Sequence, residues 1–210
     1  MKFLIKREII KFLQERINRK NRDRFNKICN RKVSIIANNC IGGYIYHYLN
    51  LRFESPTINL FILPSDYIKM LENFDKYFDP NATITEVQSD KSYPVGEIYD
   101  CKIYFMHYNS FNEAVSKWRE RCCRINKKSL YIMMTDRDGC TIEDIKAFDA
   151  LDYKNKIIFT CCEYKDISST YYIRGFEKQN SVGHLHESMS ITGKRYIDQF
   201  DYVKFLAKNN

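Results

Sequence analysis

The sequence predicts an α/β protein, a Rossmann-like three-layer domain with a mainly parallel sheet that is preceded by a basic amphipathic N-terminal helix. Short apolar runs typical of buried strands alternate with segments of helical period along the chain. The runs are continuously apolar, as expected of parallel strands that helices cover on both faces. The length of 210 residues suits one such domain with an appendage.

The appendage is a basic amphipathic helical segment, residues 1–31, and residues 32–210 form a single α/β domain. Residues 1–32 contain twelve Lys and Arg but only three Asp and Glu, which accounts for the net charge of +8. Because the rest of the chain is close to neutral, no basic cleft for nucleic acid is expected. We therefore predict no nucleic-acid partner.

Apolar residues recur at helical spacing along one side of this N-terminal segment. They are Phe3, Leu4, Ile9, Ile10, Leu13 and Ile17. Two interpretations stay open. The helix packs on the domain through this side, or residues 1–24 lie on the anionic inner face of the cell membrane as a peripheral contact.

Strands and helices of the domain alternate after the basic segment. The predicted strands are residues 33–37, 57–63, 83–87, the second half of 98–106, 130–134 and 156–160. The predicted helices are residues 43–51, a helix capped by Ser65, a helix that begins after Ser110, a helix from Thr141 to about Leu151, and residues 198–206. Residues 161–194 show no clear pattern.

The turn after the first strand has the sequence Asn-Asn-Cys-Ile-Gly-Gly. Glycines let backbone N–H groups approach a ligand, and a helix start presents unpaired N–H groups to an anion. We therefore predict Asn38, Asn39, Gly42 and Gly43 as ligand contacts. The alternative is a turn that needs small residues, and for Cys40 we favour a small buried thiol over a nucleophile.

Polar residues also follow two other predicted strands, and ligands of such sheets sit beyond the carboxyl ends of the strands. Asp136 and Asp138 form an Asp-x-Asp triplet after residues 130–134, suited to hold Mg²⁺ or Mn²⁺ against a diphosphate. His107 is predicted as a general base, with Asp138 as the other catalytic residue. The alternatives are a turn or cap role for the triplet and a structural role for the histidine.

The helix after Ser110 carries a basic stripe. Its arginines, Arg121 and Arg124, have the forked geometry that suits phosphate, so we predict an anion-binding role for both, against the alternative of a solvated face. His184 and His186 have the spacing of two ligands on one face of a strand. They lie in the stretch without a clear pattern, and we leave them outside the predicted site.

The eight cysteines do not suggest disulfides. Cys122 and Cys123 are adjacent, as are Cys161 and Cys162, and no cleavable signal peptide is recognisable. No apolar run approaches the roughly 20 residues that span a bilayer. We predict reduced thiols and a cytoplasmic protein.

Five stretches carry a resemblance to a known family. They are NNCIGGYIYHYL, SPTINLFILPSDYIKMLENF, YPVGEIYDCKIYFMHYNSFNEAVSKWRERCCRIN, DRDG and FDYVK. They are similar to blocks of a bacterial domain-of-unknown-function family whose members are commonly labelled exopolysaccharide or capsular polysaccharide biosynthesis proteins. The resemblance, from Lys32 to the C-terminus, implies surface-glycan assembly and substrates such as sugar nucleotides or polyprenyl-linked sugars. Typical glycosyltransferases are longer and carry an extensive acceptor half.

These observations lead to one function hypothesis and two alternatives. The leading hypothesis is a transferase of surface-polysaccharide biosynthesis that uses a phosphate-bearing sugar donor or a lipid-linked glycan. The second is an enzyme that adds or removes an acyl group on the glycan, with the Asn38–Gly43 turn as oxyanion hole. The third is a non-catalytic accessory protein that binds a lipid-linked intermediate or a partner enzyme at the membrane.

Overall fold

The computed structural model describes the backbone of residues 2–208 and the side chains of residues 6–208. The helices are α1 (Lys2–Ile28), α2 (Ile41–Leu49), α3 (Pro64–Glu72), α4 (Phe74–Tyr77), α5 (Phe111–Cys122), α6 (Ile142–Ala150) and α7 (Tyr202–Leu206). The strands are β1 (Ser34–Ala37), β2 (Ile84–Glu86), β3 (Val95–Ile98), β4 (Cys101–Tyr104), β5 (Leu130–Thr135), β6 (Lys156–Thr160) and β7 (Thr170–Tyr172). Two short 3₁₀ turns, Lys127–Ser129 and Tyr196–Gln199, precede β5 and α7.

Four strands form a parallel sheet in the order β1-β5-β6-β7. Residues of odd and even number point to opposite faces, because side chains alternate along a strand. Ile35 and Met133 therefore belong to one apolar core, with side chains of α1, α2 and α7. Ile36 and Met134 belong to the other, with side chains of α3, α5, α6 and the small sheet. The α/β class and the mainly parallel sheet are thus confirmed.

The four parallel strands follow one another in chain order across the sheet. A Rossmann domain has a point where the strand order reverses, and its ligand crevice lies there. Among the described strands no such reversal occurs. The Rossmann-like part of the predicted fold is therefore not confirmed.

A second, antiparallel sheet contains β2, β3 and β4 in that order. The sequence predicted its region as two strands, but Tyr99 adopts a left-handed conformation, φ 54°, and the chain reverses there between β3 and β4. The strand that the sequence missed is β3, because its residues Val-Gly-Glu-Ile include a glycine and a charged residue and give no apolar run.

The predicted strand at residues 57–63 is wrong. Asn59 has a φ of 62°, which breaks an extended ladder. The segment instead makes single connections: Ile62 N–H donates to Asn38 O at 2.8 Å, and Phe61 pairs with Tyr104 in an isolated bridge. It is buried apolar chain that joins the two sheets, which explains why its composition resembles a strand.

Three smaller differences separate the predicted elements from the observed ones. α3 begins at Pro64, so Ser65 lies inside the first turn and is not its cap. The last helix is shorter than predicted, because Asp201 caps it by accepting from Lys204 N–H. β7 was not predicted at all, since each of its three residues is only partly buried and gives no apolar run. The capping residues Ser110 and Thr141 are confirmed.

Helix α1 packs along the domain through part of its length. Leu13 contacts Gly193, Asn21 donates to the Tyr202 hydroxyl at 2.7 Å, and Phe25 is buried in the core. On its outer side Ile9 and Phe12 are 51% and 65% exposed. The packing interpretation therefore holds for the inner side of α1, but Ile9, which the sequence predicts on that side, is exposed. The side chains of Phe3 and Leu4 lie outside the described residues.

No helix within residues 2–208 is long and apolar enough to cross a membrane. The division of the chain at residue 31 stays a prediction.

Candidate functional site

A cavity of about 360 Å³ lies at the carboxyl ends of β1 and β5. Five stretches of chain surround it. They are residues 39–44 after β1, Phe61, residues 106–107 after β4, 135–138 at the end of β5, and the loop 183–187. Its volume falls within the range of about 300–1,000 Å³ that is usual for small-ligand pockets. The structure therefore places a ligand-sized space at the edge of the sheet where the sequence predicts one.

Three of the predicted site residues meet at this cavity: Asn39, His107 and Asp138 all line it. His107 and Asp138 are exposed, and Asn39 is partly buried. They come from three separate stretches of sequence, and the carboxyl ends of β1 and β5 bring two of those stretches together. Their roles stay predictions.

Asn39 is fixed by two hydrogen bonds. Its Oδ1 accepts from Ile41 N–H at 3.2 Å, and its Nδ2 donates to Thr135 Oγ1 at 2.7 Å. The first bond satisfies a free N–H group at the start of α2, and the second joins the ends of β1 and β5. Asn39 therefore holds the cavity floor in shape as well as lining it.

Asn38, Gly42 and Gly43 are buried in the packing of the domain and do not line the cavity. Asn38 is fully buried, and its Oδ1 accepts from Thr135 N–H at 3.1 Å. A Cβ on Gly42 would lie 3.2 Å from Ala37 Cβ and from Ile35 Cγ2, so α2 approaches β1 too closely for a side chain. Neither glycine is among the cavity-lining residues. Helix-on-strand packing thus explains the small residue at position 42, whereas Gly43 has room for a methyl group.

The two glycines differ, and this difference is testable. Gly42→Ala should destabilise the fold by about 1–2 kcal/mol, because rigid neighbours crowd the new methyl group. Gly43→Ala should be neutral or up to about 1 kcal/mol stabilising, because its Cβ would meet only Ile58 at 3.8 Å and alanine favours helices. Urea unfolding of both variants measures this. Equal effects of the two substitutions would contradict the packing account.

Asp136 is buried and connects three parts of the chain. Its Oδ2 accepts from Cys161 N–H and its Oδ1 from Val182 N–H, both at 2.7 Å. Burial raises the pKa of this carboxyl, and the two backbone N–H donors act against that rise. Because Val182 precedes the cavity loop 183–187, Asp136 fastens that loop to the end of β5.

The predicted metal pair is not formed by these two carboxylates. Both oxygens of Asp136 are engaged by backbone N–H groups, whereas Asp138 is exposed with a φ of 60°. Within the described part of the chain, no three His, Cys, Asp or Glu residues form a group that suits a metal ion. In this arrangement Asp136 and Asp138 do not fit a shared Mg²⁺ or Mn²⁺ ion.

Arg137 was not predicted as a site residue, yet it lines the cavity. Its guanidinium lies 3.1 Å from Nδ1 of His184, which also lines the cavity. Because a guanidinium only donates hydrogen bonds, this Nδ1 accepts, and we infer the neutral tautomer with its proton on Nε2. The contact fixes one N–H of the guanidinium and leaves the others for a ligand.

Aromatic rings form the other walls. Tyr44, in the second turn of α2, stacks on His186 with ring centroids 4.3 Å apart. Burial lowers the pKa of His186, and the positive charge of the neighbouring Arg137 lowers it further. Phe61 lines the cavity and stacks on Tyr104 at 4.4 Å. Flat apolar faces beside polar groups are typical of pockets that hold a sugar or a base ring.

Comparisons with known proteins identify the family of this chain. A family model described as a domain of unknown function, DUF1919, matches residues 9–207. The chain belongs to the DUF1919 family. It is also 48% identical over 185 residues to an uncharacterized protein of Haemophilus influenzae, which covers 88% of this chain and 89% of that protein.

In this DUF1919 chain the predicted arginine stripe of α5 lies away from the cavity lining. Arg121 is buried, donates to the Tyr108 hydroxyl at 2.6 Å and lies over the Phe53 ring. Arg124 donates to Phe53 O at 3.2 Å and forms an ion pair with Glu120. Both arginines hold the segment around Phe53 against α5, so the structure gives them structural partners.

Cys40 lines the cavity but is poorly suited as a nucleophile. Burial raises the pKa of its thiol, and its Sγ lies 3.8 Å from Leu60 O as a hydrogen-bond donor. A thiolate is the reactive form, so a raised pKa keeps this thiol unreactive near neutral pH. The geometry agrees with the expectation of a small buried thiol.

Arg137, His184 and His186 are the cavity residues that the sequence did not assign. Arg137 stands between Asp136 and Asp138, the two carboxylates of the predicted metal site, and no role is assigned to it from the sequence. The histidines occur in the patternless stretch 161–194. Nothing in the sequence marks them as cavity residues, because the hydrogen bond from Val182 to Asp136 that brings their loop to the end of β5 is a tertiary contact.

Proposed function

We propose that this DUF1919 protein is a transferase of surface-polysaccharide biosynthesis whose cavity binds a phosphate-bearing sugar, carried by a nucleotide or by a lipid. The observation that carries the proposal is the Arg137–His184 pair, which lines a ligand-sized cavity together with His107 and His186. The surface-polysaccharide context rests on the resemblance of the five sequence stretches. The proposed ligand lies beyond the carboxyl ends of the parallel strands, as in Rossmann-like domains. No other feature of the Rossmann-like prediction is used.

The phosphate is the part of the ligand that the cavity suits best. The guanidinium of Arg137 offers donors that match a phosphate in a bidentate manner. The inferred Nε2–H of His184 is a further donor, and the contact with Arg137 already holds the imidazole ring in place. A donor that is already held in place loses less conformational entropy on binding than a mobile side chain does.

The sugar or base would lie against Tyr44 and Phe61, where the cavity is apolar. His107 and Asp138, both exposed at the rim, are the groups that can take the proton of an attacking hydroxyl. We assign His107 as the base. Asp138 would then orient the acceptor by accepting hydrogen bonds from its hydroxyl groups.

Calorimetric titration of the full-length protein tests the proposal. The titrants are hexose 1-phosphates, a panel of nucleotide sugars, and the corresponding free hexoses. We expect at least one phosphorylated compound to bind in the micromolar to low millimolar range, with no measurable binding of its free hexose. Binding of free hexoses alone, or of no compound, would refute the phosphate site.

A second candidate function, a membrane-associated accessory role, is favoured by the outer side of α1. Ile9 and Phe12 are largely exposed there, and exposed basic residues such as Arg16 and Arg19 lie on the same helix. Apolar side chains flanked by cations are the composition of helices that lie on anionic bilayers. We propose that α1 touches the inner face of the cell membrane, where lipid-linked glycans are found.

Vesicle flotation checks this contact. The double variant Ile9→Ser/Phe12→Ser should reduce binding to anionic vesicles at least a hundredfold, since each buried side chain contributes about 1.5–3 kcal/mol. Tyr99→Ser serves as a control, because Tyr99 is equally exposed at 52% but lies in the turn between β3 and β4. Unchanged flotation of the double variant would contradict the contact.

A further inference from the structure

A second cavity, of about 470 Å³, adjoins the first. His186 and Glu187 line both cavities, so the two spaces are neighbours across one short piece of chain. The opposite wall of the second cavity is the N-terminal part of α1, which supplies Lys6, Arg7 and Lys11. The basic helix therefore reaches the edge of the candidate site.

Helix α1 is held in this position by its inner side. Gln14 Nε2 donates to Ser188 Oγ at 3.0 Å. Gly193, with a φ of 77°, packs so closely that a Cβ would lie 2.8 Å from Leu13 Cβ and 3.0 Å from Gln14 N. The backbone of α1 is thus fitted against the segment that follows the cavity loop.

The cations at this wall differ in how they are paired. Lys11 forms an ion pair with Glu8 at 2.9 Å. Among the described side chains, residues 6–208, Lys6 and Arg7 form neither a hydrogen bond nor an ion pair at salt-bridge distance. Neither cation is held in an ion pair, although the charge of Arg7 acts on nearby Glu8, so both side chains are available for an anion that enters from the first cavity.

We propose that the second cavity binds the second phosphate of a sugar diphosphate, through Lys6 and Arg7. This inference rests on the proposed function, in which Arg137 and His184 bind the first phosphate. It narrows the ligand class from phosphate-bearing sugars to diphosphates. Adjacent cavities with separate sets of cations suit two linked phosphates, whereas a monophosphate occupies only the first set.

Glu187 gives the proposal a further consequence. Its carboxylate is exposed and lines both cavities, so it repels a diphosphate that bridges them. Glu187→Gln should therefore bind inorganic pyrophosphate about 2- to 5-fold more tightly than the wild-type protein does.

Calorimetry with inorganic pyrophosphate and inorganic phosphate provides the test. The full-length protein should bind pyrophosphate more tightly than phosphate. Lys6→Gln/Arg7→Gln should lose about 5- to 20-fold in pyrophosphate affinity and less than 2-fold in phosphate affinity, because it removes two charged donors whose attraction for the anion is partly screened by solvent. Arg16→Gln/Arg19→Gln removes the same charge from α1 at exposed residues outside both cavity linings and should change neither affinity.

The outcomes separate this inference from the proposed function. If wild-type protein binds phosphate but Lys6→Gln/Arg7→Gln keeps its pyrophosphate affinity, the second subsite is overturned and the first remains. If neither anion binds wild-type protein, both proposals are overturned. An equal loss in the Arg16→Gln/Arg19→Gln variant shows general electrostatic attraction, which also overturns the subsite.

The source of the diphosphate is settled by two further titrants. UDP-glucose represents a nucleotide carrier, and neutral vesicles that contain a polyprenyl diphosphate represent a lipid carrier. The affinity loss of Lys6→Gln/Arg7→Gln should appear with the carrier that the protein uses. No difference from wild type with either carrier would overturn the diphosphate assignment.

Discussion

Arg137→Gln is expected to weaken binding of a phosphate-bearing sugar at least tenfold and to leave the free energy of unfolding within about 0.5 kcal/mol of wild type. The binding loss follows because the guanidinium is the charged donor of the cavity and glutamine cannot match a phosphate bidentately. The stability is kept because Arg137 is only partly buried, and its one hydrogen bond is to His184 at the cavity. Calorimetry and urea unfolding of the same preparation measure both effects.

The matched control is Arg119→Gln, since Arg119 is exposed on α5 and does not line the cavity. It removes the same charge and should bind the ligand like wild type. Arg124→Gln tests the sequence-based prediction that Arg124 binds an anion, because Arg124 does not line the cavity in the structure. We expect unchanged affinity from it, because Arg124 bonds to Phe53 O and Glu120 instead of facing the cavity. A larger affinity loss for Arg124→Gln than for Arg137→Gln would contradict the site.

Asp136→Asn is expected to lower the free energy of unfolding by about 2–3 kcal/mol. An amide has one acceptor oxygen, so either Cys161 N–H or Val182 N–H must face an NH₂ group in the buried site. For a chain of this length the midpoint of thermal unfolding should fall by roughly 4–10 °C. Differential scanning calorimetry measures the shift.

Asp138→Asn is the control for that substitution. It makes the same chemical change two residues away, at an exposed position whose left-handed backbone asparagine tolerates. We expect a change in unfolding free energy within about 0.5 kcal/mol. Hydrogen exchange adds a local readout, since the Val182 amide should lose protection in Asp136→Asn only. Equal stability of the two variants would show that Asp136 does not fasten the loop.

Much of the fold could be predicted from periodicity and capping. The buried runs that became β1, β5 and β6 are continuously apolar, and Ser110 and Thr141 marked the starts of α5 and α6. Residues 57–63 were misassigned because burial, and not strand pairing, dictates their composition. The left-handed conformation of Asn59 that breaks the strand has no strong signal in the sequence.

The site could be predicted in position but only partly in composition. The rule that ligands sit at the carboxyl ends of parallel strands brought Asn39, His107 and Asp138 to one cavity. It did not distinguish side chains that line the cavity from those that build it. Asp136 and Gly42 occur at the same edge, yet their environment turns them inward to the loop and to β1. Such a distinction depends on tertiary contacts that spacing alone does not encode.

The central claim is that Arg137 and His184 bind the phosphate of a sugar ligand in the cavity at the carboxyl ends of β1 and β5. A crystal structure of the full chain with the tightest-binding sugar phosphate from the titration tests it most directly. The account predicts phosphate oxygens within about 3 Å of the Arg137 guanidinium and of His184 Nε2. A phosphate bound beside Arg121 or Arg124, or elsewhere outside the cavity, would contradict it.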